Sequence, residues 1–533
     1  MSHRHLLLAA IVSIPALHAQ QSCEKLSSLN LPRVQVTSAE AAPAGKIQTN
    51  ASTSIDVPAR CVVKLISRPT SDSEIKIEIW MPAEKWNGRY MQVGNGGWAG
   101  AIPVPSIATA MLRGYAAAGT DDGHAGNHPD GPAGWAIGHP EKLIDFGYRA
   151  LHQTNIQAKA IIRAFYGKDP AQNYFFGCSD GGREALMEAQ RYPEDFNGII
   201  AGAPANQWSY HFAGFVWNEQ ALLNDPGSRI PPNKLPAVHK ATLAACDASD
   251  GAKDGLIEDP RTCKFDPAVM ACKGDETAEC LTPKQVVALK KIYDGPKNPR
   301  TGKQIYPGYP PGHEALPAAW VPWIIAPEQE KSIQIAFGNS FFGQAVFENP
   351  KWDFRTLDFD TDVAYAYEKA GVVLNSDSPD LRSFRARGGK LIQYHGWADA
   401  AISPFGSIDY YEKVLKFFQK YPDPRGGGKP VSDFYRLFMV PGMGHCAGGA
   451  GPNSFGNAGL QFYGDPNRDV VTALEQWVEK GVAPEQLVGT GKSALDSAKP
   501  LRRPLCVYPQ VARYDGSGDP ANAASFRCAL PQQ

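Results

Sequence analysis

A mostly parallel β-sheet flanked on both faces by helices is the architecture this sequence predicts, and three observations carry it. Short apolar runs, glycine-rich turns and helix-spaced segments alternate between about residues 89 and 205, and again after 386, the rhythm of repeated βαβ units. The chain has 533 residues, 43% of them hydrophobic, enough for a large core with an insertion. Its 52 glycines and 44 prolines are too many for a helix bundle and suit a loop-rich α/β protein. Lys and Arg (53) balance Asp and Glu (54), so there is no basic footprint for nucleic acid and no polybasic membrane patch.

The elements follow in order. Met1 to Arg4 is basic, Leu6 to Leu17 is apolar and Ala19 is small, which reads as a signal peptide over 1–19. No other stretch reaches the ~18 apolar residues of a membrane span. A secreted or periplasmic location follows, and it permits disulfides. Ten cysteines with no C-x-x-C pair read as bridges rather than zinc ligands. A polar, Ala/Ser/Thr-rich lead-in runs to about Arg60. Val62 to Ile66 and Ile75 to Met81 then read as strands, and Arg89 to Val93 as a buried strand running into the Gly94–Gly100 loop. Gly114 to Gly119 is small and apolar, and Leu151 to Tyr166 has helical spacing. Asn173 to Phe176 is a short strand, Arg183 to Arg191 a helix, and Ile199 to Ala201 a further strand.

From about Asn206 to Arg385 this rhythm breaks, with four cysteines, an Asp-rich loop and a Pro/Gly/Tyr stretch at Tyr306–Gly312. It returns with strands at Lys390–Tyr394 and Phe434–Val440. The reading is a core in two parts, 20–205 and 386–533, with a lid inserted at 206–385. Gly489-Thr-Gly-Lys-Ser493 superficially resembles a phosphate loop, but Gln486 stands where that motif needs its first glycine.

Gly177-Cys178-Ser179-Asp180-Gly181 matches G-x-S-x-G between a strand and a helix. Such glycines allow the sharp turn that lifts a serine hydroxyl above a sheet, with helix dipoles aimed at the same spot. Serine needs a base, and the base needs an orienting carboxylate. The α/β-hydrolase order is Ser, acid, His. Asp399 follows one later strand and His445 the next, in that order. His395 is the rival histidine, with a structural hydrogen bond as its alternative role. His124 and His128 precede the serine, and Asp409 reads as a solvated helix residue. Cys178 adjoins the serine and Cys446 the histidine, so the triad itself would bring the two cysteines within bridging distance.

The Cys178-Ser179, Asp399 and His445-Cys446 pattern resembles the tannase and feruloyl esterase family, which includes mono-hydroxyethyl terephthalate hydrolases. The resemblance extends to Gly181-Gly-Arg-Glu184, Gly202-Ala-Pro204, Pro441-Gly-Met443 and Ala512–Asp519. It implies an α/β-hydrolase fold with an inserted lid, Ser179, Asp399 and His445 as triad, and the amides of Gly97 and Asp180 as oxyanion hole. It also implies the pairs Cys23–Cys61, Cys178–Cys446, Cys246–Cys263, Cys272–Cys280 and Cys506–Cys528. Asp247, Asp250 and Asp254 put three carboxylates within eight residues, which repel unless a hard cation sits among them. The resemblance makes that ion a structural calcium, held also by the carbonyls of Ala252 and Leu256.

The expected function is hydrolysis of hydroxycinnamic, gallic or related aromatic esters, feruloyl esterase-like activity favoured. The substrate is a small aromatic ester, free or attached to a plant polysaccharide or polyphenol. No organic cofactor, nucleic acid or membrane partner is expected. A tannase or mono-hydroxyethyl terephthalate hydrolase-like esterase, a peptidase, and a catalytically silent aromatic- or carbohydrate-binding homologue are the alternatives. Trp397 and the lid aromatics Trp320, Trp323, Phe337, Phe341 and Phe342 are candidates for holding the acyl ring. The terephthalate-monoester enzymes of the family use a lid arginine, yet residues 301–354 contain none, only Lys303, Lys331 and Lys351. A lysine lacks the bidentate fork, so weak activity on that substrate is expected.

Overall fold

The computed structural model describes residues 21–48, 53–316, 319–422, 428–458 and 463–531; the expected signal peptide lies outside them. The strands run β1 (Val34–Ala42), β2 (Gly45–Gln48), β3 (Ser54–Val57), β4 (Arg60–Ser67), β5 (Ile75–Pro82), β6 (Arg89–Val93), β7 (Ala116–Thr120), β8 (Gln172–Cys178), β9 (Gly198–Gly202), β10 (Lys390–Gly396) and β11 (Tyr435–Val440). After them come β12 (Gly451–Ser454), β13 (Gln486–Lys492), β14 (Pro500–Cys506), β15 (Val511–Tyr514) and β16 (Phe526–Ala529). A nine-stranded sheet takes the order β1-β4-β5-β7-β6-β8-β9-β10-β11. It is antiparallel from β1 to β7 and parallel from β7 to β11. This is an α/β fold. The parallel strands β6, β8, β9, β10 and β11 all end on one edge, where such sheets bind ligands.

Alternation along each strand builds a separate core on each face. Phe175, Ile199 and Leu391 face the helix Ala150–Tyr166. Their neighbours Tyr174, Ile200 and Ile392 face the helices Val104–Leu112 and Val470–Lys480. Between β9 and β10 the described residues form helices and no named strand, packed around two apolar clusters that also take in Trp98, Trp135, Phe146 and Ala398.

Two regions hold strands beyond those read from the sequence. In the lead-in before Arg60, β1 is the sheet's edge strand, and β2 and β3 form a hairpin. An edge strand buries little, and β1 has a single buried residue, Ala39, so its apolar signal is weak. The C-terminal part adds two small sheets, β12-β13-β14 and β15-β16, beyond the main one. The segment resembling a phosphate loop lies mostly in β13.

Candidate active site

β8 lies between β6 and β9, and the chain turns sharply at its end into the helix Asp180–Arg191. Ser179 occupies that turn with φ +67° and ψ −122°, a conformation costly for a residue with a side chain. The turn is close-packed: a Cβ on Gly177 would stand 2.2 Å from the Gly181 carbonyl oxygen. Gly94 and Gly181 are similarly confined, which is why glycine recurs here.

Ser179 Oγ lies 2.8 Å from His445 Nε2, and His445 Nδ1 lies 2.8 Å from Asp399 Oδ2. The loop after β10 fixes the carboxylate, since the amides of Ala401 and Ile402 donate to Asp399 Oδ1 at 2.8 and 2.9 Å. Burial alone would raise the Asp399 pKa, but the imidazoles of His445 and His395 hold it well below the usual carboxylate range. His395 does not approach the serine. Its Nε2 shares Asp399 Oδ2 at 3.1 Å and its Nδ1 meets Ser407 Oγ at 2.7 Å, a structural role. Asp409 is exposed on the helix Pro404–Lys420. His124 bonds the Trp98 carbonyl, and His128 pairs with Asp130.

The five cysteine pairs expected from the resemblance are all bonded in the structure. Cys178–Cys446 joins the loops carrying Ser179 and His445, with a Cα separation of 5.9 Å. Gly97 and Asp180 line the cavity beside the serine, and among the described residues neither amide has a hydrogen-bond partner. Two free N–H groups beside a serine hydroxyl can receive an oxyanion.

The cavity is narrow, with a volume of about 30 Å³. Beyond Ser179, Asp180 and His445 its walls are Gly97, Ala205, Trp208, His211, Phe212, Phe215, Trp323, Phe337, Ala401 and Ile402. Of the six aromatics expected here, Trp323 and Phe337 line it, stacked at 6.2 Å, with Trp323 edge-on to His445. The other four are core. Phe341 and Phe342 are fully buried behind Phe212, Trp320 packs in a separate helical cluster, and Trp397 faces Phe405. Sequence reasoning missed Trp208, His211, Phe212 and Phe215, all on the helix Trp208–Leu223. That helix is buried on nearly every side, so it carries no amphipathic signal to single out one face. Lys303, Lys331 and Lys351 are exposed and none lines the cavity.

The acidic loop is tied to the C-terminal sheets. Arg503 on β14 is fully buried and pairs with Asp254, with Glu258 at 3.2 Å and with Asp250 at 3.7 Å. Asp247 accepts from the amides of Asp254 and Gly255. Asp250 Oδ2 is buried with no hydrogen bond. Burial, then the charges of Asp254 and Asp247, push the Asp250 carboxyl up to about 6. All of these donors are oxygen, the chemistry a hard cation takes, and Arg503 balances part of their charge. The loop also reaches the loop carrying His445: a Cβ on Gly442 would meet Leu256 at 2.6 Å.

Comparison with known proteins places the site in context. The model of the family described as tannase and feruloyl esterase matches residues 61–529. An uncharacterized esterase of Xanthomonas campestris is 42% identical, covering 98% of this chain and 94% of its own. The mono(2-hydroxyethyl) terephthalate hydrolase of Piscinibacter sakaiensis is 34% identical over 86% of this chain and 82% of its own. The crystal structure of feruloyl esterase B from Aspergillus oryzae superposes with a TM-score of 0.85 at 30% identity, covering 95% of this chain and 99% of that one.

Proposed function

The chain belongs to the tannase and feruloyl esterase family and is a carboxylic ester hydrolase, and we propose that it is a secreted or periplasmic serine esterase acting on aromatic acyl esters. The observation that carries this reading is the Ser179–His445–Asp399 chain of 2.8 Å contacts opening into an aromatic-walled cavity. Ser179 Oγ attacks the ester carbonyl while His445 Nε2 takes its proton, and Asp399 accepts the His445 Nδ1–H. The oxyanion forms against the Gly97 and Asp180 amides. His445 then protonates the departing alcohol, and water, activated by the same imidazole, clears the acyl-enzyme. Residues 206–385 act as a lid that supplies Trp323 and Phe337 to the acyl pocket.

Export is supported by the five disulfides. Among the described residues no helix is long and apolar enough to cross a membrane. Asp247, Asp250 and Asp254, with the carbonyls of Ala252 and Leu256, would hold a calcium ion that cross-links the acidic loop; its chemistry is structural, away from the ester.

Hydroxycinnamoyl esters, free or attached to a polysaccharide, suit the site better than terephthalate monoesters. Among the described residues no lysine or arginine lines the cavity, so a free carboxylate on the acyl ring would be buried without a counter-charge. The test is kcat/KM for methyl ferulate, methyl gallate and the terephthalate monoester side by side. Methyl ferulate should lead; a tenfold advantage for the terephthalate monoester would overturn the pocket reading.

A further inference from the structure

Trp208 and His211 are three residues apart on one helix, so their side chains share a face. Both line the cavity that holds Ser179 and His445, and both are almost wholly buried, 1% and 3% exposed. Yet among the described residues Trp208 Nε1 and His211 Nδ1 have no hydrogen-bond partner. Buried polar atoms are nearly always paired. Apart from Ser179, Asp180 and His445 the pocket that these two residues border is apolar, so their nitrogens are the polar atoms left for a group on the acyl ring.

The donor inventory narrows what that is. An indole N–H only donates, whereas a neutral imidazole has one N–H and one acceptor nitrogen. Burial, with the rings of Phe212, Phe215 and Tyr306 packed around it, depresses the His211 pKa to about 3 and keeps the ring neutral. A carboxylate would lack a counter-charge here, and a lone carbonyl oxygen could not use an acceptor nitrogen. A hydroxyl both accepts and donates.

We infer that Trp208 and His211 form a subsite for a hydroxyl on the aromatic acyl ring, its oxygen accepting from Trp208 Nε1–H and its proton donated to the imidazole of His211. The inference rests on the aromatic-ester reading above and adds the residues that select hydroxylated rings.

The test compares methyl 4-hydroxycinnamate with methyl cinnamate, which differ by one ring hydroxyl. That hydroxyl donates electrons and slows intrinsic hydrolysis, so a preference for it must come from recognition. The wild-type enzyme should favour the hydroxylated ester in kcat/KM by about tenfold or more, because a site built to pair a hydroxyl discriminates against its absence. His211→Phe should bring the two rates within about threefold of each other, and Trp208→Phe, which removes only the indole N–H, should cut the preference at least threefold. His211→Gln keeps a donor and an acceptor and should retain part of it. A general packing defect would lower both esters alike and leave the ratio unchanged. A wild-type ratio near one, or an unchanged ratio in the folded variants, overturns the subsite and leaves the esterase reading standing. If the wild type cleaves p-nitrophenyl acetate but neither cinnamate, the aromatic reading falls and the subsite with it.

Discussion

Cys178 and Cys446 are 268 positions apart in the chain and 5.9 Å apart at Cα, and each is the covalent neighbour of one partner in the Ser179–His445 hydrogen bond. The bridge therefore holds together the loops of Ser179 and His445, and with them the 2.8 Å contact between the two side chains. Replacing both cysteines by alanine should lower kcat for methyl ferulate by about 10²-fold, the cost of a small misplacement, while KM moves little. Denaturant unfolding should record a loss of roughly 2–4 kcal/mol. Full activity in the double variant would separate the bridge from catalysis.

The cavity wall gives a second expectation. Phe337 abuts Gly97, whose Cβ position lies 3.5 Å from the Phe337 ring, so Phe337→Ala should reduce kcat/KM on aromatic esters with little change in melting temperature. Phe341 is fully buried against Phe212, so Phe341→Ala should cost about 3–5 kcal/mol of stability. Kinetics and thermal melts on the pair tell wall from core; the opposite pattern would reverse the assignment.

Chelation tests the acidic loop. Elemental analysis of the purified protein should find calcium, and its removal should lower the melting temperature because a bound ion stabilises only the folded chain. Activity should fall afterwards, since Leu256 packs against the loop carrying His445. Well-folded protein without calcium, melting at an unchanged temperature under chelator, contradicts the site.

Glu219 gives a pH dependence. It is fully buried, and it accepts hydrogen bonds from Ser332 and Gln329. Burial raises its carboxyl to about 8, above the ~4.3 of an unfolded chain. The unfolded state therefore loses its proton first, and stability present below pH ~4 is lost as pH rises toward the folded value. Melting temperatures of Glu219→Gln should vary less between pH 5 and 8 than those of the wild type; parallel curves would refute the assignment.

The parts of this site that sit at strand ends are legible in the amino-acid sequence. G-x-S-x-G, Asp399 and His445 each follow a short apolar run, because the sheet places its chemistry where parallel strands stop. The resemblance to the family supplies the cysteine partners. What the sequence conceals depends on packing between distant elements. Phe337 and Phe341 lie one helical turn apart, and nothing local says which faces the cavity. Arg503 meets Glu258 across 245 positions, a pairing no spacing reveals. Trp208 and His211 sit on a helix buried all round, so their polar atoms stand out only against the neighbours that the fold packs around them.

The central claim is that Ser179 is the nucleophile. Its direct test is kcat/KM for methyl ferulate in Ser179→Ala, with folding checked by circular dichroism and melting temperature. A fall of roughly 10⁴-fold or more in folded protein is the expected result. Turnover within tenfold of wild type would contradict it.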